Sequence, residues 1–581
     1  MGFPSASLAE VSSPRGAAVV DNSLETGSSP SSVSSPEGKL LSDLSLDENG
    51  KACSALRYLC FYEPTSAVHA PPALEQQSTS SPAYDMQPSK SDVRSLLTSS
   101  ALESRAWEDF ALANATLQSS IPQHSISRLV PIHWTSIAPM FMWVYRPAFM
   151  RDMAIGGPYY SPFLLTVLCA HAARFDEGKL SEVLISRARL LLGNEIHQQS
   201  PIPTVQALLQ LSARDLAYGS ISQAWFYSGM AFRMLHHSAG KIASFGDLSA
   251  EDIEIRRRLF WSCYFRGKAI SPYLGRMPVL QDLPFDQPPE LLDDSAEYEE
   301  WSPYCGGAMN LSRLPITEYP PMKSHLVSCF ENSCKLAVII NDIIIPLYSR
   351  RGAPNVDDTL SGIRHRLNNR REESPPHLKC APENLPDICP PPHILTQNLL
   401  YYTTIILLHR PFYSTLAHHN ACRRASDSVE KLLLLLEKTF GFVRITYLMA
   451  YCIYTAASVM TQDVKTGYVE ATLKMQTFLR ALRQGGITCP VLQHSLNIIT
   501  RSLESDAVNM ASCRANSAAG DGFTSRNYLP AFPVLYWDPD VDDLRDTNQG
   551  GMDLDGLSFL ESFPENYFEN MSMIGEWHLP P

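Results

Sequence analysis

Three consecutive arginines, Arg256–Arg258, stand directly before a run of aromatic residues in the stretch EIRRRLFWSCYFRGKAISPYLGRMP (Glu254–Pro278). Guanidinium groups can bind phosphates, and exposed aromatic rings can stack on bases, so this composition could form a nucleic-acid surface. On a helix, however, three consecutive side chains span about 200° of the circumference and cannot all face one phosphate groove. Trp261 and Phe265 follow at core spacing. We therefore predict an interior segment whose arginines pair with nearby acids or cap a neighbouring helix.

The residues around this segment predict the helix that carries it. Ser249 followed by Asp252 resembles a capping box, which places the helix start there. Gly267 in mid-helix suggests that another backbone approaches closely, since glycine costs about 1 kcal/mol relative to alanine. Pro272 is expected to kink or end the helix, and Gly275 makes a restart unfavourable. The apolar surface is wide enough to predict burial on two sides.

Catalytic and metal-binding motifs are absent from the sequence. It contains no GxSxG, GxxxxGK[ST], GxGxxG or HExxH pattern. The pairs His236–His237 and His418–His419 occupy adjacent positions, which point about 100° apart on a helix, and we interpret them as surface or cap histidines. We predict that the chain is not an enzyme, with no catalytic, cofactor-binding or metal-ligating residues.

One basic cluster has two interpretations. Arg364, Arg366, Arg370 and Arg371 in RHRLNNRR could form a nuclear import signal, or they could be the solvated end of a helix, which the adjacent acids favour.

Composition limits the classes of function. The chain has 581 residues and a formal charge of −13, which disfavours nucleic-acid binding by the protein as a whole. Thirteen cysteines in no even cluster indicate a reducing compartment. The apolar runs Leu399–Leu408 and Ile445–Met460 are too short or too polar for membrane spans and are predicted to be core helices.

The sequence divides into three regions, and the predicted fold is all-α, an irregular multi-helix domain between two disordered segments. Residues 1–105 are rich in Ser and Pro and predicted to be disordered, residues 106–510 show helical periodicity, and residues 511–581 form an acidic-hydrophobic tail. The clearest helices are predicted at Ser161–Ala173, Pro203–Ala217, Ser222–Ser238, Ser249–Ile270, Val327–Ser349, His393–His409, Ser426–Phe440, Ile445–Met460, Val469–Arg483 and Pro490–Leu503.

The tail has the composition of an activation region. Between Tyr528 and Pro581 eleven acidic residues face a single base, Arg545. Acids keep interspersed aromatic residues solvated until a coactivator groove takes them up as a short helix. The alternative is a tail that is merely disordered or folded back on the helical body. The residues predicted to act in activation are Trp537, Phe559, Leu560, Phe563 and Phe568.

Several stretches resemble a known family. RRRLFWSCYFRGKAISPYLGRMPVL resembles the central signature of the fungal-specific transcription factor domain, the regulatory middle region of fungal binuclear zinc-cluster regulators. GSISQAWFYSGMAFRML, SPFLLTVLCAHAARF and HILTQNLLYYTTIILLHRPF are similar to its other helices, and LSLDENG with EPTSAVH to a linker of the nitrate-regulator type. The resemblance covers roughly residues 130 to 460. It assigns a structural signature role to Trp225, Gly229, Arg233, Arg256, Arg257, Arg258, Trp261, Gly275, Arg276, Arg410 and Pro411.

The resemblance has one large gap. Family members usually carry a DNA-reading module in which six cysteines hold two zinc ions, but this sequence has no CxxC and only Cys53 and Cys60 in its first part. Two thiols cannot complete a four-ligand zinc site. Zinc is thus expected in the family while its ligands are absent here, and no DNA-binding residue is identified.

The resemblance implies a nuclear transcriptional regulator of a fungal metabolic pathway, such as a secondary-metabolite gene cluster. DNA contact would come from a DNA-binding partner or from an upstream coding segment missing from this sequence. A homo- or heterodimer is a further expected assembly. Transcriptional coactivators are the other expected partners, and no membrane is expected. The alternative is a non-activating scaffold or antagonist of related transcription factors.

Overall fold

The computed structural model describes residues 89–197, 201–240, 248–281, 290–304, 319–348 and 356–517. The helices are α1 (Lys90–Arg105), α2 (Glu108–Gln118), α3 (Gln123–Ile132), α4 (Ala138–Phe141), α5 (Arg146–Ile155), α6 (Pro162–Ala173), α7 (Gly178–Glu195), α8 (Ile202–Ala217), α9 (Ile221–Gly240), α10 (Ala250–Leu274), α11 (Leu326–Tyr348), α12 (Val356–Glu373), α13 (Pro392–His409), α14 (Leu416–Thr439), α15 (Tyr447–Lys465), α16 (Val469–Gly485) and α17 (Val491–Ser517).

Helices adjacent in sequence pack in pairs around one continuous apolar core. The closest pairs are α6 with α7, α8 with α9, α13 with α14, and α15 with α16. The core extends from Ala111 to Ile499. In the described residues the only sheet is the ribbon of β1 (Glu300–Trp301) and β2 (Met322–Lys323), which are antiparallel. The predicted all-α fold class is confirmed.

Among the described helices, each is either too short or too polar to cross a lipid bilayer. The apolar runs Leu399–Leu408 and Ile445–Met460, which were predicted to be core helices, lie in α13 and largely in α15. Most side chains of these two helices are buried in the core.

Helix α10 forms where the sequence predicted it and lies at the centre of the body, against α1, α4, α9, α11 and α15. Its capping box is present: the amide of Asp252 donates to Ser249 Oγ at 3.1 Å, and the amide of Ser249 donates to Asp252 Oδ2 at 3.1 Å. Gly275 caps the other end with φ of 62°, in the left-handed region that glycine tolerates best.

Two details of that helix differ from the prediction, namely its end at Ile270 and the close backbone at Gly267. The helix does not stop at Pro272 but continues to Leu274, because a proline in the last turn removes only one hydrogen bond. The neighbour closest to Gly267 is a side chain and not the backbone of another helix. A Cβ placed there would contact the ring of Phe232 at 3.8 Å, an ordinary van der Waals distance.

The predicted disorder of residues 1–105 is wrong for residues 90–105, which form α1. Its N-terminus has a capping box between Ser89 and Asp92, and Val93 and Leu97 bury their side chains against Leu292. That contact comes from a segment two hundred residues away, so local composition could not indicate it. Residues 511–517 of the predicted tail belong to the end of α17, and residues 1–88 and 518–581 lie outside the described residues.

The chain between α3 and α4 is a π-helical turn, His133–Ile137. Such turns add a residue to the helix and often occur at functional sites. This one lines a cavity beside α10.

Candidate functional site

The aromatic residues after the arginines are interior. Trp261 and Phe265 are each 3% exposed. Phe265 packs on Phe141 with ring centroids 5.0 Å apart, and Trp261 meets Tyr264 edge to face. This confirms the predicted burial of the aromatic segment, which offers no stacking platform to a nucleic acid.

Arg258 is the centre of a buried ionic cluster. Its Nε donates to Glu254 Oε1 at 2.7 Å, and its Nη2 donates to the carbonyl oxygen of Asp293 at 2.6 Å and lies 3.5 Å from Asp293 Oδ2. The guanidinium also lies over the ring of Tyr145, 4.8 Å from its centroid. Burial lowers the pKa of Arg258, but the charges of Glu254 and Asp293 outweigh it and the net shift is upward. Arg258 therefore pairs with acids, as predicted.

The acids of this cluster also bind the segment that follows α10. Glu254 Oε2 accepts from the amide of Leu292 at 3.1 Å. Tyr145 donates its hydroxyl to Asp293 Oδ2 at 3.0 Å. Burial and the charge of Asp293 raise the pKa of Tyr145, so its hydroxyl stays protonated. The cluster fastens residues 290–297 to the face of α10.

The other two arginines have separate surroundings. Arg257 donates from Nη1 to the carbonyl oxygen of Glu290 at 2.8 Å and so holds the start of the same segment. Arg256 is partly buried, within electrostatic range of Asp252 and Tyr159. Because the three side chains diverge around the helix, they form no common phosphate-binding face.

Two further cations of α10 are fully buried, and sequence reasoning missed both. Arg266 donates to Tyr447 and to Ser212 Oγ, the latter at 2.6 Å, and burial lowers its pKa. Lys268 donates to the carbonyl oxygen of Leu280 and lies 4.5 Å from the centroid of the Tyr264 ring. The signal was available in the sequence, since charged residues within an apolar helix must find internal partners.

A cavity of about 140 Å³ lies beside the Arg258 cluster. Arg146 forms one wall and binds Glu108 through two parallel hydrogen bonds of 2.8 and 2.6 Å, while its guanidinium lies over the ring of Trp134. Next to Trp134, His133 is buried, and burial with the charge of Arg146 lowers its pKa to about 3. The wall arginines Arg105, Arg146 and Arg258 are each paired with an acid, so none of these cations is left for a ligand in the cavity.

The remaining signature residues lie in two places. Arg276 stacks over the ring of Trp225 at 5.0 Å and joins the end of α10 to α9, where Gly229 and the exposed Arg233 are neighbours. Arg410 and Pro411 begin a 3-10 turn after α13. They do not join the α10 cluster.

Arg410 is half-buried and within electrostatic range of Tyr348 and Tyr451. The predicted activation residues Trp537, Phe559, Leu560, Phe563 and Phe568 lie outside the described residues.

Half of the basic cluster near residue 370 is internal. Arg370 is buried and donates to the carbonyl oxygen of Asn332 from Nε at 3.1 Å and from Nη2 at 2.8 Å. Arg371 donates to Asn398 Oδ1 at 2.7 Å. The guanidinium groups of these two arginines donate to carbonyl and amide oxygens of neighbouring elements. They therefore fit neither an exposed import signal nor a solvated helix end. Arg366 pairs with Asp342 at the surface.

His418 and His419, which were predicted to be surface or cap histidines, contact other side chains. His418 Nδ1 lies 2.8 Å from His409 Nδ1, and His419 Nε2 lies 3.2 Å from Asp463 Oδ1. The carboxylate comes from another helix, so the sequence spacing gave no sign of it. The side chains of His236 and His237 lie outside the described residues.

Residues 132–366, which include the π-helical turn, most of the cavity wall and all of α10, match the family model described as the fungal specific transcription factor domain. Over these residues the chain is similar to that family. This family is one of transcription factors, in agreement with the prediction that the chain is not an enzyme.

The chain is also similar to curated transcription factors and transcriptional regulatory proteins. The chain is 28% identical over 370 residues to the nitrogen assimilation transcription factor nirA of Emericella nidulans, covering 58% of this chain and 40% of nirA. It is 25% identical over 369 residues to the nitrogen assimilation transcription factor nit-4 of Neurospora crassa, covering 58% of this chain and 33% of nit-4.

A third relative is an uncharacterized transcriptional regulatory protein of Schizosaccharomyces pombe, 28% identical over 294 residues, with 47% of this chain and 45% of the relative covered. The chain thus spans less than half the length of each of these three relatives. No solved structure matches the chain.

Proposed function

We propose that this chain regulates transcription of metabolic genes in the nucleus, with the helical body as a regulatory domain and residues 511–581 as an activation region. The observation that carries the proposal is the internal use of the α10 arginines within a fungal transcription factor domain. Arg258 donates its hydrogen bonds to Glu254 and to the backbone of Asp293, so the signature segment stabilises the protein's own packing.

DNA contact would then be indirect. The net charge of −13 gives the chain as a whole little attraction to a polyanion. We infer that a DNA-binding partner, or a zinc-cluster module outside this sequence, supplies promoter recognition. The family resemblance and the similarity to nirA and nit-4, both nitrogen assimilation transcription factors, support a metabolic pathway as the target. A secondary-metabolite gene cluster as that target stays a prediction.

The activation role is tested by fusing residues 528–581 to an unrelated DNA-binding domain and measuring a reporter gene. We expect activation, and we expect it to fall when Phe559, Leu560 and Phe563 are all replaced by alanine, because these apolar side chains would enter the coactivator groove. The matched control is a fusion in which the same residues are scrambled, with the eleven acids retained.

A silent reporter favours the alternative, a scaffold or antagonist of related transcription factors. If the wild-type and scrambled tails activate equally, acidity alone accounts for the activity and the assigned role of the three apolar residues is wrong.

A further inference from the structure

Three residues from separate parts of the chain meet at the start of α11. Glu297 ends the 3-10 turn Ser295–Glu297, His325 directly precedes α11, and His377 lies in the 3-10 turn Pro376–Leu378 before α13. One potential ligand atom from each lies within 4.8 Å of the other two. In the described part of the chain, this is the one group of three such side chains that is so arranged.

The distances between these atoms suit a metal ion. His325 Nδ1 lies 3.0 Å from Glu297 Oε1, and His377 Nε2 lies 3.8 Å from the same oxygen. Zinc bonds of about 2.0–2.1 Å to nitrogen and oxygen place neighbouring tetrahedral ligands about 3.3 Å apart. The observed separations lie on either side of that value. An ion can therefore enter with small side-chain movements.

Glu297 is held in place for such a role. Its Oε2 accepts from the amide of Ser328 at 2.9 Å, and its Oε1 accepts from the hydroxyl of Ser328 at 2.7 Å. Partners that orient a ligating carboxylate are typical of metal sites.

His325 adopts an uncommon backbone conformation. Its φ is 49°, in the left-handed region, and its amide donates to the carbonyl oxygen of Glu297 at 3.0 Å. Non-glycine residues in this region are uncommon and concentrate at functional sites. The conformation directs the imidazole toward Glu297.

His377 can adjust to an ion. Its side chain is 39% exposed, compared with 20% for His325, and the two rings stack at 3.8 Å with an angle of 22° between planes. Binding requires the stacked rings to turn so that both nitrogens point at the ion, and the exposed ring of His377 is free to do so.

We propose that Glu297, His325 and His377 bind one divalent metal ion of the zinc class. Two imidazoles and one carboxylate form a donor set that zinc accepts, with water in the remaining position. The exposed side of His377 leaves room for that water. The ion would link the segment after α10, the start of α11 and the irregular segment before α13. His409 and His418, by contrast, approach each other without a third ligand from the residues that the structure describes.

The test uses the full-length chain, stripped of metal with a chelator and titrated with Zn²⁺ or Co²⁺. We expect the wild type to bind one ion more than H377A, or to bind it at least tenfold more tightly, and to show a higher thermal midpoint with zinc. E297Q should lose the same ion while keeping a side chain that can accept from Ser328. H124A, which removes an exposed histidine elsewhere, should behave as the wild type.

Cysteine ligation is distinguished by the Co²⁺ spectrum. The proposed site has no thiolate ligand, so the cobalt absorption lost in H377A should lack a sulfur-to-cobalt charge-transfer band. H377A alters an exposed ring, and its midpoint without metal should match that of the wild type, which keeps the comparison valid. Equal zinc stoichiometry and affinity in wild type and H377A would overturn the proposal and leave these residues as a hydrogen-bonded joint only.

Discussion

Replacing Arg258 by methionine should destabilise the protein far more than the same change at its neighbour Arg257. The side chains of Arg258, Glu254 and Asp293 are 4%, 0% and 1% exposed, so R258M leaves two carboxylates buried without their cation. Removing one partner of a buried ionic cluster costs about 3–5 kcal/mol. The lower end applies here, because both carboxylates keep donors such as the Leu292 amide and the Tyr145 hydroxyl.

That loss can be measured as a shift in thermal midpoint. Unfolding entropy of about 2.1 cal/mol/K per residue gives about 0.8 kcal/mol/K for a helical body of roughly 400 residues. A loss of about 3 kcal/mol then lowers the midpoint by about 4 °C. R257M removes a single bond to the carbonyl oxygen of Glu290 and should cost about 1 kcal/mol, or about 1 °C.

The ionic origin of the loss has its own control. In the double variant E254Q/R258M one of the stranded carboxylates is neutral, so it should be at least as stable as R258M alone. Differential scanning fluorimetry measures the thermal midpoints of the wild type, R257M, R258M and E254Q/R258M. Equal midpoints for R257M and R258M would refute the reasoning, since the buried cluster would then contribute no more than one peripheral hydrogen bond.

Three further outcomes follow from individual positions. G275A should lower stability by about 1 kcal/mol because φ is 62° there, while G193A, in open space within α7, should be neutral or slightly stabilising; midpoints shifted alike in both would contradict this. W261A should cost about 3–5 kcal/mol and reduce the yield of folded protein, whereas F226A, at a side chain 64% exposed, should change stability by less than about 0.5 kcal/mol. His133 has a pKa of about 3 when folded, below its unfolded value near 6.5, so the unfolded state takes up the proton first and stability falls as pH drops from 6.5 toward 3. H133L should flatten the dependence of the free energy of unfolding on pH in that window by up to about 1.4 kcal/mol per pH unit, and parallel curves for the two proteins would show that this histidine does not titrate as inferred.

The sequence predicted the helices of the central body well because their signals are local. The capping box of Ser249 and Asp252 and the glycine cap at Gly275 depend only on neighbouring residues. Helices whose stability depends on distant contacts were missed or cut short. Helix α1 needs Leu292, and α14 begins at Leu416, ten residues before the predicted Ser426.

The functional site was predicted less completely than the helices, because its residues are brought together by contacts between distant parts of the chain. Burial of Trp261 follows from spacing along one helix. The pairing of Arg258 with Asp293 joins residues whose separation along the chain exceeds any helical period, and the meeting of Glu297, His325 and His377 joins three loops with no motif between them. Periodicity contains no information about such contacts, since each residue alone looks like an ordinary polar residue in a linker.

The sequence by itself determined the helical class, the position and start of α10 and the interior nature of its aromatic face, because hydrophobic periodicity and capping act within a few residues. Only the tertiary structure decided where the cations of α10 go, which half of the basic cluster is internal and which linkers converge. Those outcomes depend on charges finding partners across the fold, where burial makes an unpaired charge too costly to keep.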